Sequence, residues 1–306
     1  MDTRRIGSLE VSIVGLGCNN FGRRLDSDAT SAVVDAALDS GINFFDTADV
    51  YGGTKSEEYL GRALGRRRDV VVATKFGSAV DERRKGASPE YVRQAAEDSL
   101  RRLGTDRIDL YQLHNPDPQV PIEDTLGALD ELVRAGKVRE IGCSNFSAEQ
   151  LRAAQRATRD GAARFVSVQN EYSLLHREPE RDVLPESERA GLAFIPYFPL
   201  ANGLLTGKYR QGQHAPAGSR LQSGRGDSLL TERNLTVVEE LIEFSESRGH
   251  TILELAFSWL LARPAVASVI AGATSSEQAR SNAAAVGWGL TDAELSEIDS
   301  IVERPG

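Results

Sequence analysis

The sequence has little cysteine, little histidine and no long apolar run. Its only cysteines, Cys18 and Cys143, exclude a disulfide framework and make a reducing compartment the expected location. The four histidines are widely scattered and offer no metal-ligand spacing. No apolar run approaches the length of a membrane span, and the N-terminal segment lacks the apolar core of a signal peptide. We therefore expect a cytoplasmic protein that does not enter a membrane.

An excess of positive charge is also missing. The formal net charge is -9 and the isoelectric point is about 5.2, whereas nucleic acids and anionic membranes require a basic surface. Neither is expected as a partner. The 306 residues are 40% hydrophobic and 26% charged, which is typical of a soluble protein with a large buried core.

What the sequence does contain is a regular alternation of short apolar runs and longer amphipathic segments. Nearly continuous apolar runs are typical of strands buried on both faces of a parallel sheet. Eight runs fit this description: "VSIVGLG" from Val11, "INFFDT" from Ile42, "DVVVATK" from Asp69, "RIDLYQLH" from Arg107, "VREIGCS" from Val138, "FVSVQN" from Phe165, "AFIPYF" from Ala193 and "ASVIAG" from Ala267. The segments between them carry helix signals, such as Ser88 and Pro89 before one helix and Gly104 after it.

This alternation predicts an α/β protein, a (β/α)8 TIM barrel that occupies residues 1–306 as a single domain. The segment "RRIGSLEVS" predicts an N-terminal β-hairpin that closes one end, and "TDAELSEIDSIV" predicts an extra C-terminal helix. Residues 200–231, rich in Gly, Gln, Ser and Arg, predict a long loop and candidate lid after the seventh strand. The alternative fold is a doubly wound sheet, suggested by "VGLGCNNFG", although Asn20 stands where the third glycine of a dinucleotide fingerprint belongs.

Polar side chains stand where the predicted strands end. Asp46 ends the second strand and Tyr51 follows in its loop, while Lys75 ends the third strand and His114 the fourth. Strand ends of a barrel meet at one rim, so these four side chains should converge. Each one alone could be structural, as part of an ion pair, as a loop phenol or as a core histidine. Their convergence favours an acid–base site, because an uncompensated buried charge is costly.

The chemistry that these residues suggest is proton donation from Tyr51. A free phenol has a pKa of about 10, too high for efficient acid catalysis near neutrality. We expect the ammonium of Lys75 to lower that pKa, Asp46 to hold Lys75 in place, and His114 to orient a carbonyl oxygen by hydrogen bonding. No nucleophile with a paired base is evident, and hydride from a nicotinamide would complete a carbonyl reduction.

Seven blocks of the sequence resemble, in the same order, those of the aldo-keto reductase family. They are "GINFFDTADVYG", "VATKFG", "DLYQLHNPDP", "IGCSNF", "VQNEYS", "PLANGLLTGKY" and "GATSSEQARSN". The resemblance implies a (β/α)8 barrel that reduces small aldehydes or ketones with NADPH, or occasionally NADH. It also implies a catalytic tetrad, which falls here on Asp46, Tyr51, Lys75 and His114.

The resemblance further implies a cofactor cleft. Tyr197 should stack on the nicotinamide ring, and its carboxamide should be held by Ser144, Asn145 and Gln169. The pyrophosphate path should be lined by Pro199, Leu200, Asn202, Leu204, Lys208 and Arg220, and the adenosine end by Gly272, Thr274, Gln278 and Asn282.

Two departures bear on the choice of cofactor and substrate. Phe198 replaces a small hydroxyl residue that often follows the stacking aromatic, and Ser281 stands where many members have an acid near the adenine. NADPH is favoured and NADH stays open. Substrate specificity is expected from loop residues Asn19, Phe21, Arg23, Arg24, Asn115 and Phe198.

Two other functions stay open at this point. The β subunits of voltage-gated potassium channels also resemble this sequence, which would imply a cofactor-binding redox sensor or regulatory subunit with slow turnover. A barrel isomerase or lyase without nicotinamide would explain the polar rim but not the segment assigned to adenosine.

Overall fold

The computed structural model describes residues 1–217, 219–222 and 229–303, and its first two strands form an antiparallel hairpin. These strands are β1 (Thr3–Ile6) and β2 (Leu9–Ser12). The predicted hairpin is therefore confirmed, but the predicted first barrel strand is corrected. The run from Val11 to Gly17 is divided, because Val11 and Ser12 pair with β1 while the next strand begins at Val14.

Eight parallel strands form the barrel, as predicted. In chain order they are β3 (Val14–Gly17), β4 (Phe44–Asp46), β5 (Val71–Phe76), β6 (Ile108–Leu113), β7 (Val138–Ser144), β8 (Phe165–Glu171), β9 (Ala193–Tyr197) and β10 (Val269–Gly272). From β3 to β9 each strand pairs with the next, and β10 pairs with β3. The amide of Phe194 donates to the carbonyl of Ala265 at 2.7 Å, and the amide of Ala267 donates to the carbonyl of Phe194 at 3.0 Å, which brings the last strand against β9.

Helices cover the outside of the sheet. They are α1 (Ser27–Asp39), α2 (Lys55–Leu64), α3 (Pro89–Leu103), α4 (Ile122–Arg134), α5 (Ala148–Ala157), α6 (Val183–Ala190), α7 (Glu232–Glu246), α8 (Ile252–Leu261), α9 (Ser276–Ala284) and α10 (Asp292–Val302). Local sequence fixes several boundaries: the Ser88 side chain caps α3, and Ser147 and Thr251 form the predicted capping boxes. α10 confirms the predicted C-terminal helix.

The hairpin closes the N-terminal end of the barrel. Ile6, Leu9 and Val11 of the hairpin belong to one buried cluster with residues of the barrel strands such as Phe44 and Leu110. The opposite end, where the strands terminate, is therefore the end available to a ligand. No helix among the described ranges has both the length and the apolar character needed to cross a membrane.

The predicted loop after the seventh barrel strand contains two short 3-10 turns, Ala201–Thr206 and Arg220–Gln222. Part of the prediction, residues 218 and 223–228, lies outside the described residues, as do residues 304–306 of the chain.

Candidate active site

A cleft of about 1300 Å³ opens at the C-terminal ends of the strands. It runs from the loop after β3, past Tyr51 and His114, to the segment that joins β10 to α9. Asp46 and Tyr51 both line it, whereas Lys75 is fully buried beneath them. The four residues predicted to form an acid–base site are thus at one end of one barrel.

An ion pair between Lys75 and Asp46 forms the floor of the site. The Lys75 ammonium donates to Asp46 Oδ1 and, at 2.9 Å, to the carbonyl of Thr47. The other carboxylate oxygen, Oδ2, accepts from Gln112 Nε2 at 3.2 Å and from Gln169 Nε2 at 2.9 Å. Burial alone lowers the pKa of Lys75, but attraction to Asp46 and then Tyr51 outweighs it, so the pKa lies above its ordinary value. Lys75 is therefore a fixed positive charge at neutral pH.

Tyr51 lies beside that charge. The Lys75 Nζ atom is 5.2 Å from the centroid of the Tyr51 ring. Burial raises the pKa of Tyr51, and the charge of Lys75 offsets only part of this rise, so the pKa lies above 10.0. Lys75 thus lowers the pKa of Tyr51 as expected, but desolvation of the phenolate is the larger effect, so the pKa does not fall below that of a free phenol. Tyr51 is protonated at neutral pH, which is the form that a proton donor needs.

His114 is held neutral. Its ring meets the Tyr51 ring edge to face, with centroids 5.7 Å apart. Burial, and then repulsion from Lys75, lowers the pKa of His114 to about 3. Its Nδ1 atom is buried and has no hydrogen-bond partner within the described part of the chain. A neutral imidazole beside a phenol can act as a hydrogen-bond donor to a polar ligand atom without carrying charge.

Two glycines shape the turn that carries Tyr51. Gly52 and Gly53 have φ angles of +59° and +64°, a region that favours glycine. A Cβ atom on Gly52 would lie only 2.4 Å from the carbonyl oxygen of Phe21, so this turn also packs tightly against the loop after β3. The sequence "YGG" thus fixes the approach of the phenol to the rim.

The ring of Tyr197 is held beside this site by Asn145. The Tyr197 hydroxyl donates to Asn145 Oδ1 at 2.8 Å, and Asn145 Nδ2 donates to the carbonyl of His114 at 2.9 Å. Ser144 donates through its hydroxyl to the carbonyl of Gln169 at 2.7 Å. The residues predicted to hold a carboxamide therefore form one hydrogen-bonded group, with Gln169 also bonded to Asp46.

The far end of the cleft is the N-terminus of α9. Ser275 caps the helix, and Gln278 Oε1 accepts from the Thr274 amide at 2.8 Å. Asn20 Nδ2 donates to the carbonyl of Ala273 at 3.2 Å and ties the loop after β3 to this segment. Free N–H groups at a helix N-terminus suit a phosphate group.

Nearly all of the predicted cofactor residues line the same cleft. The cleft is lined by Ser144, Asn145, Gln169, Tyr197, Pro199, Leu200, Asn202, Lys208, Arg220, Gly272, Thr274, Gln278 and Asn282. Leu204 does not line the cleft, because its side chain is fully buried in the main hydrophobic core. The Cζ atom of Arg220 lies 5.1 Å from the centroid of the Phe198 ring, and both residues line the cleft.

Of the predicted specificity residues, Asn19, Arg23, Arg24 and Phe198 line the cleft. Phe21 is buried in the core, and Asn115 is exposed outside the lining, where it bonds to Ser78.

Sequence reasoning missed Gln112 and Asn20. Gln112 lies within a predicted strand and is fully buried, so a glutamine in an otherwise apolar run was the available signal. Asn20 stands in the sequence only as a departure from a glycine fingerprint, and its contact with Ala273 has no local signal.

The cleft fits an extended polar ligand. Asn19 Oδ1 and Asn202 Oδ1 are buried without a hydrogen-bond partner among the described residues, and both residues line the cleft. Buried polar atoms normally have partners, so these atoms suit a bound polar molecule. Across the described ranges, no group of His, Cys, Asp and Glu side chains could hold a metal ion.

The fold and site together define a (β/α)8 barrel with an acid–base centre beside a long polar groove. Comparison with known proteins gives the family: the family model described as "Aldo/keto reductase family" matches residues 13–303, and the chain belongs to that family. Its members are oxidoreductases that act on small carbonyl compounds and generally use nicotinamide cofactors.

Individual relatives agree with this assignment. Aldo-keto reductase YhdN of Bacillus subtilis (strain 168) is 35% identical over 310 residues, which cover 97% of this chain and 91% of that protein. The probable aldo-keto reductase 1 of Glycine max is 34% identical, covering 94% of this chain and 85% of its own length. The solved structure of the glycerol dehydrogenase AKR11B4 from Gluconobacter oxydans is similar with a TM-score of 0.86 at 33% identity, covering 98% of this chain and 95% of that one.

Proposed function

We propose that the protein reduces an aldehyde or ketone to an alcohol with a nicotinamide cofactor, and that Tyr51 donates the proton. The observation that carries this proposal is that the neutral phenol of Tyr51 lies beside both the buried Lys75–Asp46 pair and the neutral ring of His114. A bound NADPH would supply the hydride. The carbonyl carbon gains that hydride and the carbonyl oxygen gains the Tyr51 proton, so an alcohol results.

Each residue has one task in this proposal. The hydroxyl of Tyr51 gives its proton to the carbonyl oxygen, and the ammonium of Lys75 stabilises the phenolate that remains. Asp46 compensates the charge of Lys75 and fixes its position. His114 donates a hydrogen bond to the same carbonyl oxygen, which orients the substrate.

The groove beyond Tyr197 would hold the cofactor. Tyr197 offers its ring to the nicotinamide, and Ser144 and Asn145 offer polar atoms to the carboxamide. Lys208 and Arg220 supply positive charge for phosphates, and α9 supplies its N-terminus. We favour NADPH because Lys208, Arg220, Thr274 or Arg280 could meet a 2′-phosphate, with NADH as the alternative.

The glycerol dehydrogenase neighbour suggests that the same site also oxidises alcohols. Because a catalyst speeds both directions equally at equilibrium, an alcohol with oxidised cofactor should reverse the reaction, with Tyr51 accepting the proton.

Consumption of NADPH tests the proposal. Absorbance of NADPH should fall steadily when the purified protein receives a reactive aromatic aldehyde, and should stay constant without aldehyde. The same assay with NADH compares the Michaelis constants of the two cofactors. Tight binding of NADPH without consumption across a panel of aldehydes and ketones would contradict the reductase and support the sensor.

A further inference from the structure

A second buried polar cluster lies on the opposite face of β5 from the active site. Thr74 precedes Lys75, so the two side chains face opposite sides of the strand. Thr74 Oγ1 donates to Glu57 Oε1 at 2.5 Å, and Glu57 Oε2 accepts from Arg102 at 2.6 Å. Glu57 is fully buried. We call this group, together with Asp49, Tyr91 and Tyr111, the outer cluster.

Asp49 is the poorly satisfied member of the outer cluster. It is 1% exposed, and its Oδ1 has no hydrogen-bond partner in the described part of the chain. Its Oδ2 receives a long bond, 3.5 Å, from the Tyr91 hydroxyl, and the backbone N–H of Val50 gives the carboxylate some further stabilisation. The Tyr111 hydroxyl is also buried without a partner there. A charged carboxylate with so few donors is unfavourable in a buried position.

The charges that face Asp49 add to this cost. They come from Glu57 on α2 and from Arg102 on α3, while Tyr91 of α3 and Tyr111 of β6 face it with neutral hydroxyls. Arg102 therefore faces both Asp49 and Glu57, and it already bonds to Glu57. Burial, and then repulsion from Glu57, raises the pKa of Asp49 to about 7.

Asp49 is also joined directly to the active site through the backbone. Its amide donates to the carbonyl of Lys75 at 3.1 Å. Two residues later, the amide of Tyr51 donates to the carbonyl of Ala48 at 3.2 Å, and the amide of Ser56 donates to the carbonyl of Tyr51 at 3.2 Å. The same short turn thus places the carboxyl of Asp49 in the outer cluster and the phenol of Tyr51 at the rim.

We propose that Asp49 is a positioning residue for Tyr51: its neutral carboxyl seats the turn of residues 47–54 on the outer cluster, and its ionisation unseats that turn. This inference rests on the proposed role of Tyr51 as proton donor. The ionised carboxyl draws water or moves away from Glu57, and either response displaces the turn. The phenol then loses its alignment with Lys75 and His114, so turnover falls while substrate binding changes less.

The pH dependence of kcat tests the inference in the full-length protein. For the wild type we expect kcat to fall by about threefold or more between about pH 6 and about pH 8.5, with a smaller change in KM. Asp49→Asn keeps the shape of a neutral carboxyl and should flatten this decline. Asp124→Asn makes the same change at an exposed position on α4 and should keep the wild-type profile. Identical profiles for the wild type and Asp49→Asn would overturn the inference.

A second variant gives a directional check that does not alter Asp49. Tyr91→Phe removes the hydroxyl that stabilises the charged carboxylate, so the decline should move to higher pH. If kcat falls over the same pH range in Tyr91→Phe as in the wild type, Asp49 is not the source of the fall. This variant still decides the question if Asp49→Asn fails to fold.

Hydrogen exchange separates this inference from the proposed function, because it needs no turnover. At about pH 6 we expect the amides of residues 47–56 to exchange at the same rate in the wild type and in Asp49→Asn. At about pH 8.5 these amides should exchange several-fold faster in the wild type than in Asp49→Asn. Equal exchange at both pH values would overturn the role of Asp49 even in an active enzyme. A protein that never consumes NADPH would overturn the proposed function, and the exchange result would still decide whether Asp49 seats the turn.

Discussion

Lys75 and Asp46 form an ion pair that is almost completely shielded from solvent, with side-chain exposures of 0% and 3%. Their strands are neighbours in the barrel, and the carboxylate is further bonded by Gln112 and Gln169. The pair thus fixes the position of the Lys75 ammonium beneath Tyr51. Its removal should affect both the stability of the barrel and the reaction.

Asp46→Asn should lower the free energy of unfolding by about 3–5 kcal/mol, because it leaves the Lys75 ammonium buried without a counter-charge. Urea unfolding measures this change. Combining Asp46→Asn with Lys75→Met removes both charges, so it should recover part of the stability and no activity. Asp46→Asn with wild-type stability would contradict the buried pair as described.

Gly52→Ala and Gly53→Ala form a matched pair of substitutions in the Tyr51 turn. Both place alanine at a positive φ, which should cost about 1 kcal/mol each. Only Gly52→Ala also brings a Cβ to 2.4 Å from the Phe21 carbonyl oxygen, whereas Gly53 has open space. We expect Gly52→Ala to lose kcat about tenfold or more while Gly53→Ala stays within about threefold. Equal losses of kcat would show that the contact with Phe21 does not position Tyr51.

His114 should resist protonation in mildly acidic solution. Its pKa of about 3 lies below the ordinary 6.5, so the folded state binds the proton less tightly than the unfolded state. The stability associated with neutral His114 is therefore complete above about pH 6.5 and is lost as pH falls towards 3. Relative to His114→Gln, the wild type should lose about 2 kcal/mol between pH 7 and pH 5. Urea unfolding at both pH values, with an NMR titration of the imidazole, checks this; protonation of His114 near pH 6.5 would contradict it.

The sequence predicts the barrel well because each strand has its own apolar run and several helices begin at a capping residue. It fails at Val11–Gly17, where one apolar run supplies two sheets. β2 ends at Ser12, which pairs with Thr3 of β1, and β3 begins two residues later at Val14. No local residue signals this change from one sheet to the other.

The active site likewise has features that the sequence predicts and features that it does not. Asp46, Tyr51, Lys75 and His114 could be predicted because strand ends converge and because the motifs resemble a family. The buried state of Leu204 and the raised pKa of Tyr51 depend on how distant segments enclose each side chain. Asp49 gave no signal either, since its environment is built from α2, α3 and β6.

Tyr197 offers a test of the proposed cofactor groove. Tyr197→Phe keeps the ring and loses the bond to Asn145, so the Kd for NADPH should rise only about twofold to fivefold. Tyr197→Ala removes the stacking surface and should raise the Kd about tenfold or more. Fluorescence titration with NADPH measures both values. If Tyr197→Ala binds NADPH as tightly as the wild type, the nicotinamide lies elsewhere.

The central claim is that the Tyr51 phenol gives its proton to a carbonyl, and steady-state turnover of Tyr51→Phe tests it most directly. Phenylalanine keeps the ring beside His114 and Lys75 but has no proton to give. We expect kcat for aldehyde reduction to fall by about 10²–10⁴-fold, while the Kd for NADPH stays within about twofold. A Tyr51→Phe protein that reduces the aldehyde at close to the wild-type rate would contradict the account.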